Sequence, residues 1–560
     1  MPPFDRRTLL REGAGGALAI SSASGLLPTI ARKALAQDSK ARPDPRPNIL
    51  VIIVDQLRAP QGFQTTAAAR ALMPNLAALR KGAVSFASHY TASNDCTPAR
   101  STLLTGLYSH QTGCLITGQS TLAPVFPTWG TMLRDYGYVT AWFGKWHLTH
   151  GDDNWTAARN GHALEKYGFD GGTYPSPDGA PGQGLLVDPL IAAQFTKWYA
   201  TAPAHKPWCT TVSLVNPHDI AWWYRWTVPF AGERTPPSIV HALPTNFETP
   251  QQLAARHKPT LQLSLQATAS ASFGSVPFTG AAATKAWLPF MDLYLALSGQ
   301  VDRQIGAVIA TLASRPTLAA NTVVVFTADH GEYGASHGLR GKGAGVYEEG
   351  IKVPLIVNDL RRKLTRSSTV ARTGLTSSVD VAPLLLTIAS GSNAWRRQHR
   401  FAHIASRHDL ATMLANPKAP GRSFVLHATD EVLSEFATQP YLFQAPLHVT
   451  AIRTATAKYA LYSNWAPRSN NIVSVGQERE LYDYSTRNGR LEVRTVAGAS
   501  KLEHSIDAQL TRAIRNELRA PIPAAWRGAQ ANAYSSYFQT AQRDALPAQG
   551  TSAMRAAGTA

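Results

Sequence analysis

The chain has 560 residues, of which 44% are hydrophobic and 16% charged. That balance excludes a disordered or fibrous polymer, and the length suits one large domain with a smaller companion. The formal net charge of +18 favours anionic ligands. The basic residues are scattered, however, with small groups only at 361–363 and 396–400, and no RNA- or DNA-binding motif accompanies them. No nucleic-acid partner is expected.

Asp5-Arg6-Arg7-Thr8-Leu9-Leu10 is a twin-arginine pattern, followed by a weakly apolar Gly/Ala/Ser-rich stretch from Gly13 to about Ile30. Ala34-Leu35-Ala36 then offers a small-x-small cleavage site before Gln37. Residues 1–36 are similar to a bacterial Tat export signal and are set aside from fold reasoning. The stretch is too poor in Leu, Ile and Phe to serve as a stable membrane anchor. The expected location is periplasmic or secreted, with the Tat translocase as a partner during export. The leader carries five basic and two acidic residues, so the remainder keeps a charge of +15.

After a Pro/Arg-rich linker, Asn48–Val54 is a continuous β-branched apolar run, the pattern of a strand buried on both faces. It ends at Asp55-Gln56. Met73–Lys81 reads as a helix and Ser85–His89 as a second strand. Val139–Phe143 ends at Gly144-Lys145-Trp146-His147. Thr210–Val215 ends at Asn216-Pro217-His218-Asp219, and Thr322–Thr327 ends at Ala328-Asp329-His330. Open parallel sheets place ligands at the carboxyl ends of their strands, so four such ends would gather these polar groups at one point.

Cys96 follows a polar segment and begins a run that reads as a helix. A helix start favours negative charge through its free N–H groups and dipole. Arg100 falls one turn along the same face. Cys96 is one of three cysteines, too few for a disulfide framework. Cys114 and Cys209 are expected as unpaired buried thiols, with pairing in an oxidising compartment left open.

Residues 220–290 are irregular and carry Trp222-Trp223-Tyr224-Arg225-Trp226. They read as an insertion near the site mouth, and the aromatics more as a local core than as a substrate wall. Trp287–Leu312 reads as a long helix. Ala451–Thr454, Lys458–Tyr462 and Glu480–Asp483 alternate as antiparallel strands do. A helix over Asp507–Arg519 follows, and the end of the chain from about 540 reads as frayed.

Cys96-Thr97-Pro98-Ala99-Arg100, continued through Leu103-Leu104-Thr105-Gly106, resembles the signature of the formylglycine-dependent (type I) sulfatases of the alkaline phosphatase superfamily. Gly144-Lys145-Trp146-His147 and the block Gly341-Lys342-Gly343 to Val353-Pro354-Leu355 resemble the same family. The resemblance implies an α/β fold with a large mixed, mostly parallel sheet flanked by helices and a smaller C-terminal α+β antiparallel-sheet subdomain. Residues 37–445 would form the catalytic domain and 446–560 the subdomain with a disordered tail.

It also implies the chemistry. Cys96 would be oxidised to formylglycine by a formylglycine-generating enzyme, and the hydrate would be the nucleophile toward a small anionic ester. Asp55, Gln56, Cys96, Asp329 and His330 would hold one divalent ion. The catalytic set would be Cys96, Arg100, Lys145, His147, His218 and Lys342, with Arg100 supporting the nucleophile and the lysines neutralising the ester. His218 would protonate the leaving alcohol and His147 would take a proton from the hydrate. Asp55-Gln56 paired with Asp329-His330 resembles the choline sulfatase and phosphonate monoester hydrolase branch, and one imidazole among few acids shifts the ion from calcium toward manganese. A sulfate-ester hydrolase is therefore expected. A phosphodiesterase or phosphonate monoester hydrolase, and a non-catalytic anion-binding protein on the same scaffold, are the alternatives. His337 is a weaker candidate, as readily a packing residue.

Overall fold

A computed structural model describes residues 44–149, 162–224, 238–365, 368–496, 498 and 500–545. The twin-arginine segment read as an export signal, Arg225, Trp226 and residues 546–560 lie outside the described residues.

Seven strands form the main sheet: β1 (Asn48–Val54), β2 (Val84–Phe86), β3 (Val139–Gly144), β4 (Asp170–Gly171), β5 (Trp208–Leu214), β6 (Thr322–Ala328) and β7 (Leu355–Asp359). Their spatial order is β2-β7-β6-β1-β5-β3-β4. All neighbouring pairs are parallel except the two that β7 makes with β6 and β2. The four strands whose ends carry the candidate residues are thus contiguous in the sheet, with β1 and β5 at its centre.

The apolar runs read as strands because both faces of the sheet are covered. Every residue of β1, β5 and β6 is buried. Ile49, Val51 and Ile53 face a core containing Trp129, Trp142 and Leu385. Leu50, Ile52 and Val54 face the opposite core with Phe195, Val301 and Ile305. Each fully buried aliphatic side chain contributes about 1.5–3 kcal/mol, which fixes the register of these strands.

The flanking helices include α1 (Cys96–Thr105), α2 (Gln183–Ala200), α3 (Thr260–Phe273), α4 (Gly280–Ala313) and α5 (Arg527–Ala545). The long helix starts earlier than the expected Trp287, because Ala283 is already buried in its first turn. Residues 540–545, read as frayed from composition, are helical. Helix α5 continues to Ala545, and Tyr534 and Tyr537 pack beside Leu115 and Ile116.

A second, antiparallel sheet contains β8 (Phe424–Thr429), β9 (His448–Thr454), β10 (Ala457–Trp465) and β11 (Ile472–Asp483). Its first strand lies upstream of the boundary read at 446. Strand β8 was hidden by its polar centre, where His427 is buried between Thr91 O and Asn94 Oδ1. Within the insertion, α3 forms a strut where the sequence reads as irregular. Leu261 and Leu265 of α3 pack against Val449 and Tyr462 of the small sheet. Among the described residues no helix is long and apolar enough to cross a membrane.

Candidate active site

Cys96 begins α1, with Asp95 extended ahead of it and all ten helix residues buried. Five groups close on its sulfur. Lys342 Nζ stands at 3.0 Å, His330 Nε2 at 3.2 Å and Lys145 Nζ at 3.5 Å. Glu435 Oε2 lies at 3.5 Å and both Asp55 oxygens at 3.7 Å. One turn along, Arg100 donates to Asp55 Oδ2 and meets Asp329 Oδ2, both at 3.0 Å. Its other terminal nitrogen donates to Lys145 O and Ser213 Oγ, each at 2.9 Å. Arg100 thus ties four strand ends to the helix that carries Cys96.

The strand ends require specific backbone geometry. Gly144 has φ +100, and a Cβ there would stand 1.9 Å from Ser213 O, so only glycine lets β3 release Lys145 beside β5. Gln56 and His147 hold left-handed backbone at φ 64 and 54, the kind of strain that persists where surrounding contacts over-determine it. Asp329 Oδ1 accepts from the Gln56 N–H at 3.1 Å and so joins the ends of β1 and β6. At the end of β5, Asp188 of α2 accepts from Val215 N and Asn216 N at 2.6 and 2.9 Å. Asp219 in turn accepts from Gly184 N and Leu185 N in the first turn of α2. His218 is set between these locks. Gly179 approaches it so closely that a Cβ would lie 2.3 Å from the imidazole.

Burial opposes every charge here, and neighbouring charges decide the outcome. Burial pushes the Asp55 carboxyl up, but Lys145, His218, Arg100 and Lys342 together hold it well below the usual carboxylate range. Burial lowers Lys145 and Lys342, yet Asp55, Cys96 and Glu435 keep both above the ordinary lysine value. The Cys96 thiol is pushed well up, first by burial and then by Asp55 and Glu435. An unmodified Cys96 is therefore a protonated thiol, not a thiolate nucleophile. Burial, with Lys145 and Lys342, lowers His218 to about 4, and burial with Lys145 also lowers His147.

Asp55, Cys96, Asp329 and His330 offer ligand atoms that all lie within 4.8 Å of one another. This set fits a divalent cation. His330 Nδ1 lies 3.0 Å from Gly331 O; donating there leaves the Nε2 lone pair facing the cluster. Asp329 Oδ2 is buried with an ion pair to Arg100 but no hydrogen bond. Gln56 stands beside the cluster with both ends of its amide engaged: Oε1 accepts from Lys342 at 3.1 Å and Nε2 donates to Glu332.

His218 and Lys342 meet on Glu435, which the sequence motifs do not contain. Glu435 Oε2 is 2.8 Å from His218 Nε2 and 2.6 Å from Lys342 Nζ, and Oε1 lies 3.7 Å from His147 Nε2. It arrives on the loop after β8. The neighbouring Phe436 ring packs 4.5 Å from Trp222, which donates to Gly179 O. The aromatic cluster therefore divides: Trp223 packs in a local core with Trp287 and Phe290, whereas Trp222 borders the site. His337 is a packing residue, stacked 3.6 Å from the Tyr347 ring and bonded to Glu248. Cys114 and Cys209 are free buried thiols.

The family model "Sulfatase" matches residues 47–392, which is more than half of the chain. The chain belongs to the sulfatase family. Arylsulfatase K of Mus musculus is 25% identical over 77% of this sulfatase and 74% of its own length. Choline-sulfatase of Rhizobium meliloti is 27% identical, covering 61% of the chain and 68% of that protein. An uncharacterised sulfatase of Escherichia coli is 29% identical, and the match spans 62% of its length. Two solved structures share the fold. They are a putative sulfatase from Bacteroides thetaiotaomicron, with TM-score 0.62, 20% identity and coverage of 84% and 92% of the two chains, and the phosphonate monoester hydrolase of Silicibacter pomeroyi, with TM-score 0.62, 23% identity and coverage of 84% and 94%.

Proposed function

We infer that this sulfatase hydrolyses sulfate monoesters, arylsulfatase-like, using a formylglycine made from Cys96. The observation that carries the reading is the convergence of Lys342, Lys145, His330 and Asp55 on one buried cysteine at a helix start. A thiol held protonated in that ring has no use as a nucleophile, whereas an aldehyde hydrate presents two hydroxyls in the same place. Asp55, Asp329 and His330 would hold a calcium or manganese ion, with Gln56 beside it; such an ion supplies charge neutralisation and lowers the pKa of a neighbouring hydroxyl.

The chain's own residues account for the rest. Lys145 and Lys342 neutralise charge spreading over the equatorial oxygens of the transferring group. Arg100 holds Asp55 and Asp329 in register with α1. His218 Nε2 faces the pocket; lowered to about 4 in the resting site, it can protonate the departing alcohol only once the bound ester has raised it, while His147, also lowered, accepts the second hydroxyl's proton. Burial of Arg100, Lys145, His218 and Lys342 keeps bulk water from the transfer, with His147 half-buried at the edge of the site.

The twin-arginine leader supports export to the periplasm by the Tat translocase after maturation by a formylglycine-generating enzyme. A second reading rests on Asp55-Gln56 with Asp329-His330: a phosphodiesterase or phosphonate monoester hydrolase on the same site. The test is mass spectrometry of the Cys96–Arg100 peptide from protein co-produced with its maturation enzyme, alongside turnover of an aryl sulfate and an aryl phosphodiester. An aldehyde with preferred sulfate turnover is the expected result. Preferred diester turnover would select the second reading. An intact thiol and no turnover of either ester would leave a non-catalytic anion-binding protein.

A further inference from the structure

The groups expected to receive the ester's charged head already hold an anion of the chain itself. Glu435 Oε2 sits 2.6 Å from Lys342 Nζ, 2.8 Å from His218 Nε2 and 3.5 Å from Cys96 Sγ. Oε1 turns toward His147 at 3.7 Å and has no hydrogen-bond partner. An ester oxygen cannot bond Lys342 and His218 at these positions while the carboxylate remains, because two oxygens would overlap.

The carrier segment is anchored on both sides of Glu435, with Ala437 N donating to Ser434 O at 2.9 Å and Ser434 Oγ 3.3 Å from Tyr441 Oη between the anchors. Upstream, Asp430 is fixed by His110 and His448 at 2.7 and 2.6 Å, and Glu431 accepts from Thr117 N at 2.8 Å. Downstream, Thr438 N donates to Ser272 Oγ at 3.0 Å, and Thr268 Oγ1 donates to Pro440 O at 3.3 Å, both anchors on α3. Between these anchors Glu435 precedes Phe436, which holds left-handed backbone at φ 62. Trp222 meets Phe436 at the rim, so the loop that carries the carboxylate also carries part of the aromatic border of the site.

Resting on the ester-hydrolase reading above, we propose that Glu435 is the resident anion of the site, an internal competitor of the substrate: its carboxylate holds Lys342 and His218 until the charged head of the ester replaces it. The exchange is matched in charge. Glu435 carries one negative charge, as does a sulfate monoester, so replacement leaves the balance against Lys145, Lys342 and Arg100 unchanged.

The test uses the full, matured, metal-loaded protein with benzenesulfonate, a monoanion that carries the ester's charged head but no cleavable sulfate, as the probe. Calorimetry at fixed ionic strength compares wild type with Glu435→Gln, while hydrogen exchange follows the 434–437 segment in wild type with and without the probe. The variant is expected to bind it at least about tenfold tighter, since the internal competitor has lost its charge. Exchange in wild type is expected to rise on saturation as the segment is expelled. Equal or weaker binding by the variant, or added protection of 434–437 on binding, would overturn the proposal. Should the variant fail to fold, the exchange experiment on the unaltered chain still decides. Wild type that binds the probe with loop release yet hydrolyses no ester would overturn the hydrolase reading alone.

Discussion

Lys342→Met removes one positive charge from the centre of the site while keeping most of the side-chain volume. Its Nζ stands 3.0 Å from Cys96 Sγ, 3.1 Å from Gln56 Oε1 and 2.6 Å from Glu435 Oε2. At an effective dielectric near 20, a unit charge about 4 Å from another is worth about 4 kcal/mol. At 1.36 kcal/mol per decade, that is about a thousandfold in rate. Removing single preorganised donors elsewhere costs about 10²–10³ in kcat, so kcat/KM for an aryl sulfate is expected to fall by that range. Initial rates with kcat and KM separated should place most of the loss in kcat. The substitution also leaves Glu435 without its main cation, which costs stability. Lys342→Met with Glu435→Gln should recover the melting temperature but not the rate. A folded Lys342→Met enzyme that keeps more than about a tenth of kcat/KM would refute the role of this charge in stabilising the transition state.

Cys96→Ala is expected to abolish turnover without unfolding the chain; residual activity above background in the purified variant would rule out a nucleophile at this position. Chelation should remove activity and lower the melting temperature, and restoring an ion at a hundred times its Kd should return about 2.7 kcal/mol. Asp329→Asn should blunt that stabilisation, and an unchanged shift would exclude Asp329 as a ligand. Acid sensitivity should trace partly to His89, whose buried ring is lowered from 6.5 to about 4 by burial. Between those values the unfolded chain binds a proton that the folded chain does not, so stability present above pH 6.5 is lost as pH falls toward 4, by about 3 kcal/mol in full. His89→Gln should flatten the change in urea midpoint between pH 7 and pH 4.5, whereas an undiminished slope would assign the loss to other groups.

The four site-bearing strands were legible because burial on both faces forces an unbroken apolar run, and the run stops where the chain turns toward ligand. Asp55, Lys145, His218 and Asp329 follow directly from those stops. Cys96 and Arg100 were legible from their one-turn spacing. Glu435 was not, because it is a single acid in a loop between antiparallel strands, with no period around it and partners far away in sequence, Lys342 and His218. The charge balance held the only hint: three buried cations faced two recognised carboxylates. Strand β8 was missed for a related reason, since its buried His427 breaks the alternation that marks a half-buried strand. The division of Trp222 from Trp223 depends on which ring meets Phe436, a contact that no local pattern encodes.

The turn that follows α1 is backed by α5, the last helix among the described residues. Tyr534 Oη donates to His110 O across 424 residues of sequence. A Cβ on Gly113 would collide with Ala533 at 2.5 Å, so α5 fits against this turn without space to spare. A ribosome adding about 5–20 residues per second needs roughly 20–80 s to make the intervening chain. Throughout that interval the turn at 110–113 lacks its final support. The order of synthesis thus works as a clock: the segment beside the helix that carries Cys96 can close only when nearly the whole chain has been made.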